Sequence, residues 1–161
     1  MPDLATAVLP GPRGVRGWLL FLVVNLCIIG PLFTIVALPA QVSEGLEAQS
    51  LYPWYGFLLL TSTTCAAFLM VFSLYAGISL WRCQPGAVRT ASLCLICFAA
   101  FGFFQLWLPF LAQLPPESRS YLVKTSAPGN FRTIVSAGVW YWYLQVSQRV
   151  RNTFPLHSAA A

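Results

Sequence analysis

Few residues of this 161-residue chain are of types that carry catalytic or metal-binding chemistry. Cys94 and Cys97 are three positions apart, so on a helix their thiols share one face, as a dithiol or two metal ligands would need. A structural zinc site needs four nitrogen or sulfur ligands, however, and His157 is the single histidine. Free cysteine also packs readily as a small apolar residue. We therefore expect helix packing for this pair, and no metal or other cofactor.

The acidic residues offer equally little for catalysis. Glu44, Glu47 and Glu117 fall in two segments between apolar stretches, where carboxylates are commonly solvated. A serine or cysteine nucleophile needs a base within hydrogen-bond reach, and a proton relay needs ionisable groups between the helices. The apolar stretches contain no Asp, Glu, Lys or His that could act as the base or relay a proton. We expect no enzymatic activity, and the remaining alternative is an enzyme or cofactor carrier that uses Cys94 and Cys97.

Neutral polar residues within the apolar stretches are the other candidates for function. They are Asn25, Thr61, Thr64 and Gln105. Hydrogen bonds between helices are the usual role of such side chains in a membrane. If the four side chains converged on one cavity, they would instead line a polar path through the protein.

Four long apolar stretches must position these residues. The chain is 58% hydrophobic and 8% charged, against about 25% charged in an average soluble domain. The stretches are 18–38, 54–80, 90–114 and 131–148, each near the roughly 20 residues that cross a bilayer as a helix. The first three contain no charged residue, and Arg132 stands second in the fourth. Uninterrupted apolar runs exclude the alternating pattern of a barrel strand. The sequence predicts an all-α membrane protein with four transmembrane helices.

Proline and glycine indicate how these helices are connected. Residues 1–17 are predicted to be a flexible leader, residues 18–148 the four-helix domain and residues 149–161 a basic tail. Gly30-Pro31 predicts a kink in the first helix, since proline lacks the amide of a helical hydrogen bond. Gln84-Pro85-Gly86 predicts a tight turn between the second and third helices. Residues 39–53 and 115–130 are predicted to be loops, the second ending at Asn130 as a helix cap.

The charges predict an orientation in the membrane. Six of the nine basic residues fall on one side: Arg13, Arg16, Arg82, Arg89, Arg149 and Arg151. The other side carries three basic and three acidic residues: Arg119, Lys124, Arg132, Glu44, Glu47 and Glu117. Positive charge favours the cytoplasmic face, so both termini are predicted to be cytoplasmic. Paired arginines beside helices favour lipid headgroups as partners and make a nucleic-acid partner unexpected.

Two segments carry a family resemblance. Residues 14–21 read Gly-Val-Arg-Gly-Trp-Leu-Leu-Phe and are followed by Ile-Gly-Pro-Leu at residues 29–32. At the other end, Trp-Tyr-Trp-Tyr at residues 140–143 leads to Ser-Gln-Arg-Val-Arg-Asn-Thr-Phe at residues 147–154. The chain resembles the bacterial domain of unknown function 2569 family from Gly14 to about Phe154. This resemblance implies a four-helix protein of the bacterial inner membrane and supplies no catalytic residue.

These observations favour a non-catalytic protein that binds other integral membrane proteins, or itself, within the bilayer. Such a protein would be an accessory subunit of a larger inner-membrane assembly. Its basic ending provides the candidate cytoplasmic contact or lipid anchor: Arg149, Arg151, Asn152 and Phe154. The alternative is a small transporter or channel component that acts as an oligomer and uses the four polar residues named above.

Overall fold

The computed structural model describes Val15 and residues 17–51, 55–111 and 115–154, and this part of the chain is helical without any strand. In chain order its elements are α1 (Trp18–Val24), a π-helical segment (Asn25–Ile29), α2 (Gly30–Leu51), α3 (Tyr55–Trp81), α4 (Ala87–Leu111), α5 (Pro116–Val146) and α6 (Gln148–Thr153). Three apolar helices are long enough to cross a membrane: Trp18–Ser43, Tyr55–Trp81 and Ala87–Leu111. The all-helical membrane fold is thus confirmed. The fourth predicted span falls in α5, which is not among these three. Most of the predicted leader lies outside the described residues.

The loop predicted for residues 39–53 is wrong over its described part, because α2 continues to Leu51 with Pro39 inside it. Pro39 is exposed, and it removes one backbone hydrogen bond from the helix. The following residues include alanine, leucine, glutamate and glutamine, all good helix formers. Their propensity therefore carries the helix beyond the proline that the sequence analysis took as a boundary.

The loop predicted for residues 115–130 is also wrong, because α5 begins at Pro116 and contains Pro128. Proline suits the first turn of a helix, and Glu117 in that turn interacts favourably with the helix dipole. Leu122 then packs with Tyr55, Leu58 and Leu108 from α3 and α4. This tertiary contact stabilises the early helix, and Asn130 lies within α5 instead of capping it.

The predicted turn between α3 and α4 is confirmed. The amide of Gln84 donates to the carbonyl of Ser79 at 3.1 Å, and the amide of Cys83 donates to that of Leu80 at 3.2 Å. These bonds form a Schellman ending, with Cys83 in the left-handed region at a φ of 50°. A five-residue connection of this kind makes α3 and α4 antiparallel neighbours.

The helices pack most closely at the end of the molecule that holds this turn. Along the bundle, α5 lies against α4, α4 against α3, and the α1–π–α2 helix against α3. Buried residues from all of these elements except α2 meet beside the turn, and α6 folds back onto them. We call this cluster the closed end: Leu19, Leu22, Leu80, Val88, Leu144, Val150 and Phe154. Trp140 of α5 covers one side, with its ring 6.3 Å from Trp18 and 5.7 Å from Phe21.

Candidate functional site

The π-helical segment arises from the sequence around Pro31. The amide of Gly30 donates to the carbonyl of Asn25, five residues back instead of four. In a regular α-helix that amide would have bonded to the carbonyl of Leu26. The next amide is missing, because Pro31 has no N–H. The carbonyl of Leu26 is therefore released from the helical ladder, and it needs another donor.

Ser73 of α3 provides that donor. Its hydroxyl donates to the carbonyl of Leu26 at 2.6 Å, and both residues are buried. The structure assigns the released carbonyl to Ser73, while Thr34 donates to the carbonyl of Gly30 at 3.0 Å. The bond fixes the π segment against α3.

A glycine in α3 allows the same two elements to approach closely. A β-carbon built on Gly77 would overlap the Sγ atom of Cys27 and lie 3.3 Å from the Cβ atom of Leu26. Ser73 and Gly77 are four residues apart, so they share one face of α3. This small-xxx-small spacing permits the close helix contact. We call these four residues the π contact: Leu26, Cys27, Ser73 and Gly77.

Replacing Ser73 by alanine is expected to destabilise the protein by about 1 to 2 kcal/mol, because the carbonyl of Leu26 would lose its donor inside an apolar bundle. A denaturant titration in detergent micelles measures this change. Ser79→Ala is the matched control, since the buried Ser79 hydroxyl bonds only to the carbonyl of Tyr75 in its own helix. Equal stability losses in both variants would contradict the role given to Ser73.

The four predicted polar residues do not come together. Gln105 accepts a hydrogen bond from Ser62 at 3.2 Å, which joins α3 to α4. Thr61 donates to the carbonyl of Phe57 in its own helix, and Thr64 is exposed. Since Leu26 contacts Ser73, the position of Asn25 along the bundle is roughly 13–18 Å from the two threonines, at 1.5 Å per residue. This arrangement does not favour the polar path that a transporter would need.

Asn25 itself is half-buried at the start of the π segment. Its side chain makes no hydrogen bond within the described part of the chain. It remains a candidate for contact with a group outside this chain.

Cys94 is buried and Cys97 is half-buried, both on α4. Within the residues that the structure describes, no group of three or more histidine, cysteine or acidic side chains could hold a metal ion. Cys94 lies among packed helices, as the sequence analysis expected.

The basic ending does not extend away from the bundle as the predicted tail would. The chain is extended at Ser147 and then forms α6, which returns to the bundle. Val150 and Phe154 are buried in the closed end, where the ring of Phe154 is only 7% exposed. Phe154 is therefore a packing residue and is not available as a surface contact. The side chains of Arg149, Arg151 and Asn152 lie outside the described part of the structure, and their anchoring role stays a prediction.

The position of Arg132 differs from the sequence prediction. It was placed at the start of the fourth stretch, on the side opposite the termini, but it lies near the middle of α5 and is exposed. A β-carbon on Gly102 of α4 would lie 2.9 Å from Ile134 and 3.4 Å from the carbonyl of Asn130. Arg132 lies between these two residues along α5, so it is level with Gly102. That level is inside the apolar span Ala87–Leu111.

The family model described as a protein of unknown function (DUF2569) matches residues 12–155, which is most of the chain. The chain belongs to the DUF2569 family. No curated protein and no solved structure is significantly similar to it. The resemblance found in the two sequence segments is thereby confirmed.

The matched range of the DUF2569 domain includes both parts of the structure that carry unexpected contacts. It contains the π contact between the π segment and α3, and it extends through α6 to the residue after Phe154. The matched range therefore includes the folded-back ending.

Proposed function

We propose that this DUF2569 protein is a non-catalytic accessory subunit of a bacterial inner-membrane assembly, with four transmembrane spans and both termini in the cytoplasm. In this proposal α5 forms the fourth span. At 1.5 Å per residue its 31 residues extend over about 46 Å, so α5 can cross a hydrocarbon layer of about 30 Å and continue beyond it. Its antiparallel packing along α4 supports this assignment.

The observation that carries the subunit proposal is the bare surface of α2. Just after Pro31, four large apolar side chains are exposed: Leu32, Phe33, Ile35 and Val36. Consecutive residues of a helix are 100° apart, so these side chains point to several sides of α2. Over this turn the bundle covers little of the helix.

Lipid can cover such a surface, because burial of apolar area does not drive association inside a bilayer. Close packing against another helix, by contrast, adds dispersion contacts that fluid lipid does not match. In this proposal a helix of a partner protein packs against the surface of α2 that the bundle leaves exposed. Residues with general acid, base or metal chemistry are not needed for this role.

Photocrosslinking in native membranes tests the proposal. A photoreactive amino acid at Phe33 or Val36, which are 71% and 68% exposed, is expected to form a discrete adduct with one membrane protein. The same group at the fully buried Leu22 is the control, and it should crosslink only within the chain. If both exposed positions give lipid adducts alone, α2 has no protein partner and the proposal fails.

The orientation has its own test in Cys83, which is exposed in the turn between α3 and α4. A variant that keeps only this cysteine should react with a membrane-impermeant maleimide in inside-out vesicles and not in intact cells. A variant that keeps only Cys65, exposed near the middle of α3, is the control and should be protected from both sides by lipid. Labelling of Cys83 in intact cells would place the termini outside the cytoplasm.

A further inference from the structure

Arg132 is a charged side chain at membrane depth. Arg132 is level with Gly102 of α4. Gly102 is nine residues before the end of α4, a distance of about 13 Å at 1.5 Å per residue. If α4 is centred in a hydrocarbon layer of about 30 Å, Arg132 lies roughly 10 Å below the nearer boundary. A charge at this depth is costly and calls for a partner.

The chain itself does not provide that partner. In the described part of the chain Arg132 forms no ion pair and no side-chain hydrogen bond. Its side chain is exposed on the outside of the bundle. The other charged residues of α5 with described side chains are Glu117, Arg119 and Lys124, and the nearest of these is also basic.

In a bilayer of unperturbed thickness, the side chain of Arg132 does not reach the lipid phosphates. An extended arginine side chain spans about 7 Å, which is shorter than the depth of roughly 10 Å, and the phosphates lie above the hydrocarbon boundary. The bilayer would have to thin locally for an arginine here to meet a headgroup.

The helix surface beside Arg132 leaves room for a neighbouring helix. Gly129 lies one turn before Arg132 and Ser136 one turn after it, so all three share one face of α5. All three are exposed, and a β-carbon on Gly129 would have no atom within 4 Å. Small residues on both sides of Arg132 allow another helix to approach closely.

We propose that Arg132 binds a carboxylate on a transmembrane helix of a partner protein, an aspartate or glutamate placed at the same depth. The negative charge of the partner compensates the positive charge of Arg132. The small residues Gly129 and Ser136 allow the backbone of the partner helix to approach α5 closely. This inference rests on the proposed function, since it names the chemistry of the partner and takes α5 as the fourth span.

Defined peptides test the proposal without knowledge of the natural partner. A leucine-based transmembrane peptide carries glutamate at the depth of Arg132, and two control peptides carry glutamine or leucine there. Each peptide is reconstituted with the purified full-length protein in phosphatidylcholine vesicles, and association is measured by energy transfer. The glutamate peptide is expected to bind about tenfold more tightly than the leucine peptide.

Variants of the protein make the result specific. Arg132→Gln should abolish the preference for the glutamate peptide, and Arg132→Glu should create a preference for a lysine peptide instead. Lys124→Gln is the matched control, because Lys124 is exposed on α5 two turns closer to its start, and it should leave the preference unchanged. Thermal unfolding of each variant verifies that the exposed substitution leaves the fold intact.

Several outcomes would overturn the proposal. Equal binding of the three peptides, or an unchanged preference in Arg132→Gln, excludes a carboxylate partner. Self-association that needs Arg132 would identify a second copy as the occupant, and loss of anionic lipid from Arg132→Gln would identify a headgroup. The crosslinking test on α2 is independent of Arg132, so failure of the peptide test alone leaves the subunit function standing.

Discussion

Replacing Gly77 by valine is expected to cause the largest loss of stability among the substitutions considered, about 3 kcal/mol or more. The new β-carbon alone would overlap the Sγ atom of Cys27, and the two methyl groups would meet Leu26. Overfilling a packed contact typically costs about 1 to 3 kcal/mol, and here the backbone of the π segment must also move. Denaturant titration in detergent micelles measures the loss.

Three further variants isolate the cause of that effect. Gly138→Val is the matched control, because a β-carbon on Gly138 has no atom within 4 Å and a neighbouring helix is not displaced. Gly77→Ala should lose less than Gly77→Val, and combining it with Cys27→Ala should recover part of the loss by removing the overlapping sulfur. A Gly77→Val protein as stable as the Gly138→Val protein would contradict the close approach of α3 to the π segment.

Replacing Phe154 by alanine is expected to destabilise the protein by about 3 kcal/mol, as for a large aromatic side chain removed from a packed core. Its ring lies in the closed end with Val150 of α6 and residues of the first, third, fourth and fifth helices. Loss of the ring should also release α6, since this helix has only six residues and is too short to be stable alone. Protease sensitivity of the ending and the unfolding free energy are the two measurements.

Phe131→Ala is the matched control for this prediction. Phe131 is also a phenylalanine but is 65% exposed on α5, so its loss should change the unfolding free energy by less than about 0.5 kcal/mol. If Phe154→Ala unfolds like the wild type and its ending resists protease equally, α6 is not part of the core.

Sequence patterns predict the structure correctly where they depend on local chemistry. Runs without charge predicted the three apolar helices, and Gln84-Pro85-Gly86 predicted the turn after α3. Pro31 predicted a kink, and the structure resolves it as a π-helical segment. Which helical carbonyl is released there depends on hydrogen bonds across the bundle, and the sequence alone does not define them.

The incorrect predictions come from contacts between residues that are far apart in the chain. Pro39 and Pro128 were taken as loop residues, but proline is tolerated where propensity or packing compensates the lost hydrogen bond. Leu122 is an example, since it packs against Leu58, which is far away in the chain. Phe154 illustrates the same point. An apolar residue that follows two arginines resembles a membrane anchor in the sequence, but Phe154 is buried in the structure.

The candidate interaction residues were only partly accessible from the sequence. Gln105 was recognised as an intramembrane polar contact, and Ser62 is its partner. Arg132 was overlooked because its depth depends on the register between α5 and α4, which is set by the contact of Gly102 with Ile134. Register between helices is a tertiary property, and one sequence does not reveal it.

The most direct test of the subunit role is the mass of the particle that contains this protein when it leaves its native membrane. The protein is extracted in a mild detergent and measured by native mass spectrometry. We predict a mass that exceeds the 17.7 kDa of the chain by that of a second protein in fixed stoichiometry. A particle of 17.7 kDa carrying only lipid would contradict the role as a subunit.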